Sequence, residues 1–139
     1  MTIGFQVSFD AHDPAAQARF WSLALEYDRQ PPPPGFDTWE AFAENAGIPR
    51  ERWGDVDAVV DPHGKGPRLL FQRVPEGKTA KNRMHLDVNA SGPERDWAKV
   101  ENHAKRLVAA GATLVEERQD GMSHWIVMQD PEGNEFCLQ

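Results

Sequence analysis

The chain has 139 residues and a mass of 15.6 kDa, one domain's worth of protein where single cores usually run to about 100–200 residues. Its 40% hydrophobic content, with five Trp and seven Phe, suffices for a sizeable core and excludes a disordered or collagen-like chain despite eleven Gly and eleven Pro. A formal charge of −7 and a pI near 5.2 are the opposite of a basic footprint, so neither nucleic acid nor an anionic membrane surface is an expected partner.

From the N-terminus, Ile3, Phe5, Val7 and Phe9 alternate with Gly4, Gln6, Ser8 and Asp10, which predicts a strand with one apolar and one polar face over about residues 1–10. The same stretch lacks a basic region ahead of an apolar run, and no long apolar run follows, so no signal peptide or membrane span is expected. Asp13-Pro14 offers an N-cap with proline at the first helical position, and Phe20, Leu23, Ala24 and Tyr27 recur at helical spacing, predicting a helix from about Pro14 to Tyr27. The run from Pro31 to Gly35 is a stiff extended spacer. After it, Trp39, Phe42, Ala43 and Ala46 share a helical face, Asp37 and Glu40 have capping-box spacing and Gly47 can end the turn, giving a short inserted helix over about 37–47 and a loop to Gly54.

Two strands, Val56–Asp61 and Arg68–Val74, flank the turn Asp61-Pro62-His63-Gly64 and should pair as a hairpin. Lys78, Lys81 and Arg83 form a basic run that either meets an anionic substrate at the rim of a site or is a solvated loop, the loop being favoured. Next, Met84, Leu86 and Val88 alternate with His85, Asp87 and Asn89, repeating the opening pattern. Ser91 and Glu94 have capping-box spacing, and Trp97, Val100, Ala104 and Leu107 form an apolar stripe ending before Gly111, predicting a second long helix. Three strands, Ala112–Glu117, His124–Gln129 and Asn134–Gln139, complete the chain. Of His124 and Trp125 only one can face inward, and an aromatic residue in a strand favours Trp125 as core. His12, His63 and His103 look like turn or exposed-helix residues without a motif.

The two halves echo one another. Val59-Val60-Asp61-Pro62-His63-Gly64 followed by Leu70-Phe71-Gln72 parallels Met128-Gln129-Asp130-Pro131-Glu132-Gly133 followed by Cys137-Leu138-Gln139, and each phrase follows a strand-helix opening. A half of this composition cannot cover its own apolar sheet face. The expectation is one domain over 1–139: module one at about 1–77, module two at about 82–139, helices outside and a concave polar face inside. There is no GxGxxG, P-loop, GxSxG or HExxH pattern, so dinucleotide, phosphate, serine-hydrolase and zincin readings lack support.

This layout, with LLFQRVPEGKTAKNRMHLD and the terminal DPEGNEFCL, resembles the glyoxalase-like branch of the vicinal oxygen chelate superfamily. The resemblance implies an α+β fold of two βαβββ modules, a curved, cup-shaped mixed sheet, and a small-molecule site in the cup. It also implies a divalent metal (Zn, Ni, Fe or Mn) held from the first and last strands of each module. Carried over residue by residue, those positions fall on Gln6, His85, Cys137 and, in module one's last strand, Gln72, with Leu70 fitting that place as well. Only His85 is a strong ligand type; Gln6 and Gln72 offer neutral amide oxygens, and Cys137 is either a soft thiolate ligand or an apolar filler.

His85, with Gln6, Gln72 and Asp87 on the same inferred face, is the candidate catalytic base beside a carbonyl or hydroxyl substrate, since imidazole titrates near about 6.5. Its bland counterpart is a hydrogen-bonded histidine in a polar cavity. Asp87 either faces the substrate or pairs with Arg83 along the strand, the pairing being favoured. Trp39, Phe42 and Trp53 either close an aromatic lid over an apolar ligand or anchor the inserted helix, the anchor being favoured. The resemblance thus implies carbonyl lyase or isomerase chemistry; the alternative is a non-catalytic binder of the bleomycin-resistance type without a tight metal. It also implies a homodimer, and the lone cysteine, Cys137, points to the cytoplasm.

Overall fold

The computed structural model of the chain describes residues 1–139 and divides into two compact units, Met1–Ser22 with Glu26–Gly77, and Leu23–Leu25 with Lys78–Gln139. In the first half the elements are β1 (Val7–Ala11), α1 (Pro14–Leu25), β2 (Asp28–Arg29), α2 (Trp39–Asn45), a 3-10 turn at Arg50–Arg52, β3 (Val56–Val60) and β4 (Leu69–Arg73). The second half holds β5 (Asp87–Val88), α3 (Trp97–Ala109), β6 (Thr113–Asp120), β7 (Ser123–Gln129) and β8 (Glu135–Leu138). The two sheets have strand orders β1-β4-β3-β2 and β5-β8-β7-β6. In each, the first strand runs parallel to the last and the other neighbours are antiparallel. One topology therefore occurs twice, and the fold is α+β, built of two βαβββ modules.

In the first module, β1 begins six residues later than the alternation predicts. Its ladder opens with the Val7 N–H on the Arg68 carbonyl at 3.0 Å and pairs Val7 with Leu69. One more step would set Phe5 against Pro67, which has no N–H to give and a fixed φ. Ile3 and Phe5 accordingly remain exposed. Asp13 caps α1 by accepting the Ala16 N–H at 3.0 Å, and Glu26, in the left-handed region at φ 56°, ends it before Tyr27. Phe20, Trp21 and Ala24 are buried from α1, and the Phe9 ring lies 5.3 Å from Trp21 and 5.2 Å from Phe71. The cap of α2 is Thr38, which accepts the Ala41 N–H at 3.0 Å, and not Asp37. Unforeseen by the sequence, β2 forms an edge with Asp28 opposite Val60 and Arg29 opposite Val59, and Arg29 pairs with Asp57.

In the second module the helix cap is Asp96, accepting the Ala98 N–H at 3.0 Å, and not Ser91. Arg95 takes a left-handed φ of 54°, which interrupts any helix begun at Ser91, and Glu94 is spent on Lys99 at 3.0 Å. The expected strand over residues 84–89 contracts to Asp87–Val88 because its partner β8 starts only at Glu135; the ladder opens with the Cys137 N–H on the Leu86 carbonyl at 3.0 Å. Val88, Ile126, Met128, Phe136 and Leu138 are buried, as are Val100, Ala104 and Leu107 of α3. His103 is half-buried rather than exposed, with Nε2 2.9 Å from the Ala24 carbonyl.

The repeated Asp-Pro-x-Gly phrase has one structural meaning in both modules. Asp61, between β3 and β4, accepts the N–H groups of His63, Lys65 and Gly66 at 2.8, 2.9 and 2.7 Å. Asp130, between β7 and β8, accepts those of Glu132 and Asn134 at 2.9 and 3.0 Å. A short acidic side chain that bonds backbone just ahead of it fixes such turns.

Candidate functional site

Strand period and register decide which side chains meet on the sheet face opposite α3. Asp87 pairs with Cys137, Cys137 with Val127 and Val127 with Glu116, while Trp125 pairs with Arg118. His85 precedes Asp87 by two residues, so it joins the same side. His85 Nδ1 lies 3.1 Å from Asp87 Oδ1, and donor atoms of His85, Asp87 and Cys137 all fall within 4.8 Å of one another. Asp87 thus turns to His85 and not to Arg83.

The electrostatics follow from this arrangement. Burial, followed by the charge of Asp87 and its hydrogen bond, pushes the Cys137 thiol up, while Lys81 and Arg118 act in the opposite direction. The thiol is therefore protonated near neutrality, and in the metal-free protein Cys137 is a poor nucleophile. Arg118 bonds Glu116, with Nε at 2.8 Å, and that bond raises the guanidinium further. For Glu135, burial opposes ionisation, but the Asn82 N–H and the Lys78 ammonium, each at 3.0 Å, outweigh it and hold the carboxyl below its ordinary range.

The donor set suits a divalent metal. Tetrahedral ions with ligand bonds of about 2.0–2.3 Å need donors about 3.3–3.8 Å apart. The donor atoms here lie within 4.8 Å of one another, and the side chains of His85 and Asp87, 42% and 48% exposed, are not locked by packing. Three protein donors would leave one position for substrate or water.

The other predicted residues lie in the first module, each engaged locally. Gln6 accepts from Arg68 Nη1 at 3.0 Å through Oε1 and donates to Ser8 Oγ at 3.4 Å. Gln72 donates through Nε2 to Asp10 Oδ1 at 3.0 Å, its cross-strand neighbour. Leu70, two residues away, lies on the same face as Gln72. Trp39 donates its indole N–H to the Gln30 carbonyl and Trp53 to the Ile48 carbonyl, both at 2.8 Å, and Phe42 packs edge-on against Trp39 and Phe36. His12, Asp55, Arg73, Val74 and Pro75 line a cleft of about 470 Å³ in this module, where Arg73 faces Asp55 at 3.9 Å and donates to the Gly54 carbonyl.

One expectation is reversed. Trp125 is not core: it lies on the Cys137 side with Arg118, and His124 takes the helix side, stacked on Trp97 and 2.7 Å from Glu117. Ile126 and Met128 are the residues buried beneath α3, and the period of two then sends Trp125 and Val127 the other way. Glu116 and Arg118 also escaped sequence reasoning. Their signal was the same alternation, read from the buried Ile126 outward.

A profile of the glyoxalase-like domain family matches residues 6–139. Comparison with the curated proteins found no match. Among solved structures, the fosfomycin resistance protein FosX from Mesorhizobium loti superposes with a TM-score of 0.66 at 11% identity, over 100% of this chain and 92% of that one. The Listeria monocytogenes FosX, complexed with Mn(II) and a dihydroxypropylphosphonic acid, gives 0.63 at 11% identity over 100% and 90%. The bleomycin-binding protein of Streptomyces verticillus, complexed with copper(II)-bleomycin, gives 0.56 at 16% identity over 100% and 96%. These likenesses establish the shared fold, and with the family match over nearly the whole length the chain belongs to the glyoxalase-like domain family.

Proposed function

We propose that the protein binds a small carbonyl compound at His85, Asp87 and Cys137 and acts on it as a lyase or isomerase. The observation that carries this reading is the convergence of three different donor types within 4.8 Å on one sheet face. Asp87 at Nδ1 orients the His85 ring and selects its tautomer, leaving Nε2 to take and return a proton beside a carbonyl. Trp125 supplies an apolar wall on the same face, and Arg118 a cation for a developing oxyanion. A divalent ion held by these donors would polarise a carbonyl oxygen and acidify the adjacent C–H. The ring is free base or metal ligand at any moment, never both at the same nitrogen, and the chemistry depends on His85 in either form. In module one, Gln6, Gln72, Trp39 and Trp53 are proposed as further substrate contacts, Gln6 and Gln72 also as weak metal ligands.

The second reading is a non-catalytic binder without a tight metal. Two observations favour it: Cys137 holds its proton in the free protein, and Arg68 already occupies the amide oxygen of Gln6. The test is ligand-dependent melting against a panel of 1,2-dicarbonyl and 2-hydroxyketone compounds, followed by turnover assays on those that stabilise. Loss of binding and turnover in His85→Ala supports the enzyme; binding without turnover supports the binder. Stabilisation and turnover untouched by His85→Ala contradict both assignments of the site.

The proposal extends to a cytoplasmic homodimer, supported by the edge strand β6, which is exposed along its length with Leu114 and Val115 about half accessible. Sedimentation at the mass of one chain across a wide concentration range would contradict the dimer.

A further inference from the structure

We propose that the cleft of the first module is a second small-molecule site, taking a monocarboxylate with a compact apolar body. The carboxylate meets the guanidinium of Arg73, and the body lies on Val74 and Pro75. The inference stands apart from the reading of His85, Asp87 and Cys137, because every residue that carries it belongs to the first module.

The cleft forms where β1 and β4 end together. Parallel pairing sets Ala11 beside Arg73, and the Val74 N–H reaches the Ala11 carbonyl at 3.0 Å. Pro75 has no N–H with which to extend the ladder, so the pairing stops there. The hollow left beside this strand end has a volume of about 470 Å³ and is lined by His12, Asp55, Arg73, Val74 and Pro75, a size within the range of ligand pockets, about 300–1,000 Å³. Arg73 follows Gln72 and so points to the other face of the sheet. Its Nη2 donates to the Gly54 carbonyl at 3.1 Å, while Nε stands 3.9 Å from Asp55 Oδ1, beyond hydrogen-bond reach. Nη1 has no protein acceptor and the side chain is 48% exposed, so the guanidinium keeps donors for a carboxylate. Asp55 does not cancel its charge. The other oxygen of Asp55 accepts from Arg52 Nε at 3.4 Å, so Arg73 shares this carboxylate with a second guanidinium. The same sharing leaves Asp55 little to offer an amine. Arg73 is the one permanent cation in the lining, which matches a single negative charge rather than a dianion. A Cβ on Gly54 would stand 2.9 Å from Arg73 Nη2; the guanidinium therefore lies against bare backbone, which sets its position. Half-buried Val74 and the exposed ring of Pro75 supply the apolar surface.

The test uses the isotope-labelled full chain at constant ionic strength, titrated separately with benzoate, benzamide and benzylamine. These probes share a ring and differ in the group that Arg73 reads, and binding is followed at the backbone amides by NMR. The expected result is saturable shifts at Asp55, Arg73 and Val74 with benzoate alone. Arg73→Gln should weaken benzoate by about tenfold or more. Gly54→Ala, which keeps every charge but displaces the guanidinium, should weaken it to a lesser degree, with thermal unfolding reporting that both variants stay folded. Benzamide or benzylamine binding as tightly as benzoate, or affinity unchanged in Arg73→Gln, would overturn the proposal. So would shifts confined to Asp87 and Cys137, or no saturable shift at all.

Discussion

Cys137 is half-buried beside a carboxylate, and both circumstances favour the neutral thiol. In metal-free protein, Asp87→Asn removes the negative charge while keeping the shape, so Cys137 should react with iodoacetamide at mildly alkaline pH about 3–10-fold faster than in the wild type. An unchanged or slower rate, followed by mass spectrometry, would mean that Asp87 does not restrain the thiol. At this scale residue types were more legible than their partners. His85 and Cys137 were legible because a strong ligand type and a lone cysteine stand out. The bond from Asp87 to His85 was not, since Arg83, also ahead of Asp87 and on the same strand face by alternation, offers a permanent cation as a competing partner. His124 and Trp125 illustrate the sharper limit: a shift of one residue exchanges the faces of a strand, and only the burial of Ile126 and Met128 settles which side is which.

The strand-turn-strand phrases were the most legible elements because their acidic side chains determine the turn locally. Asp130 is 2% exposed and accepts from the backbone of Glu132 and Asn134. Asp130→Ala should therefore cost about 1–3 kcal/mol by leaving buried donors unmatched, read as a lower urea midpoint with an unchanged slope; an unaltered midpoint would contradict the role given to the turn. Asp61 supplies a pH test. The His63 and Gly66 N–H groups, then that of Lys65, hold its carboxyl below the ordinary range in the folded state. The stabilisation is thus present above the unfolded carboxyl's range and is lost as pH falls through the lower folded value. Asp61→Asn should flatten the acid limb of the stability curve, and an identical acid limb would contradict it. Helix starts were harder to read, because several Ser, Thr and Asp residues compete as caps. Asp96→Ala should cost about 1 kcal/mol, the usual loss of an N-cap, whereas Ser91→Ala should leave helix content unchanged. β2 had no signal to find: Asp28 and Arg29 are both polar and exposed, and only pairing with Val59 and Val60 makes them a strand.

For the molecule as a whole, duplication was the informative feature. Each half repeats a strand, a helix and three strands, with its first strand parallel to its last. Parallel pairing of β5 with β8 brings residues fifty positions apart in sequence, Asp87 and Cys137, into one row. Periodicity could not supply this juxtaposition, because alternation fixes a face but not a neighbouring strand. Family membership was legible in phrases that serve the fold, the two acidic turns above all, and those phrases carry no information about a substrate. The proposed function requires that His85, Asp87 and Cys137 converge on one point able to hold a ligand atom. Anomalous diffraction at the zinc absorption edge, from crystals of the full chain soaked in zinc, tests it most directly. The expected result is a peak within bonding distance of His85, Asp87 and Cys137 Sγ; zinc found only at other histidines, with none among these three, would overturn the proposed site.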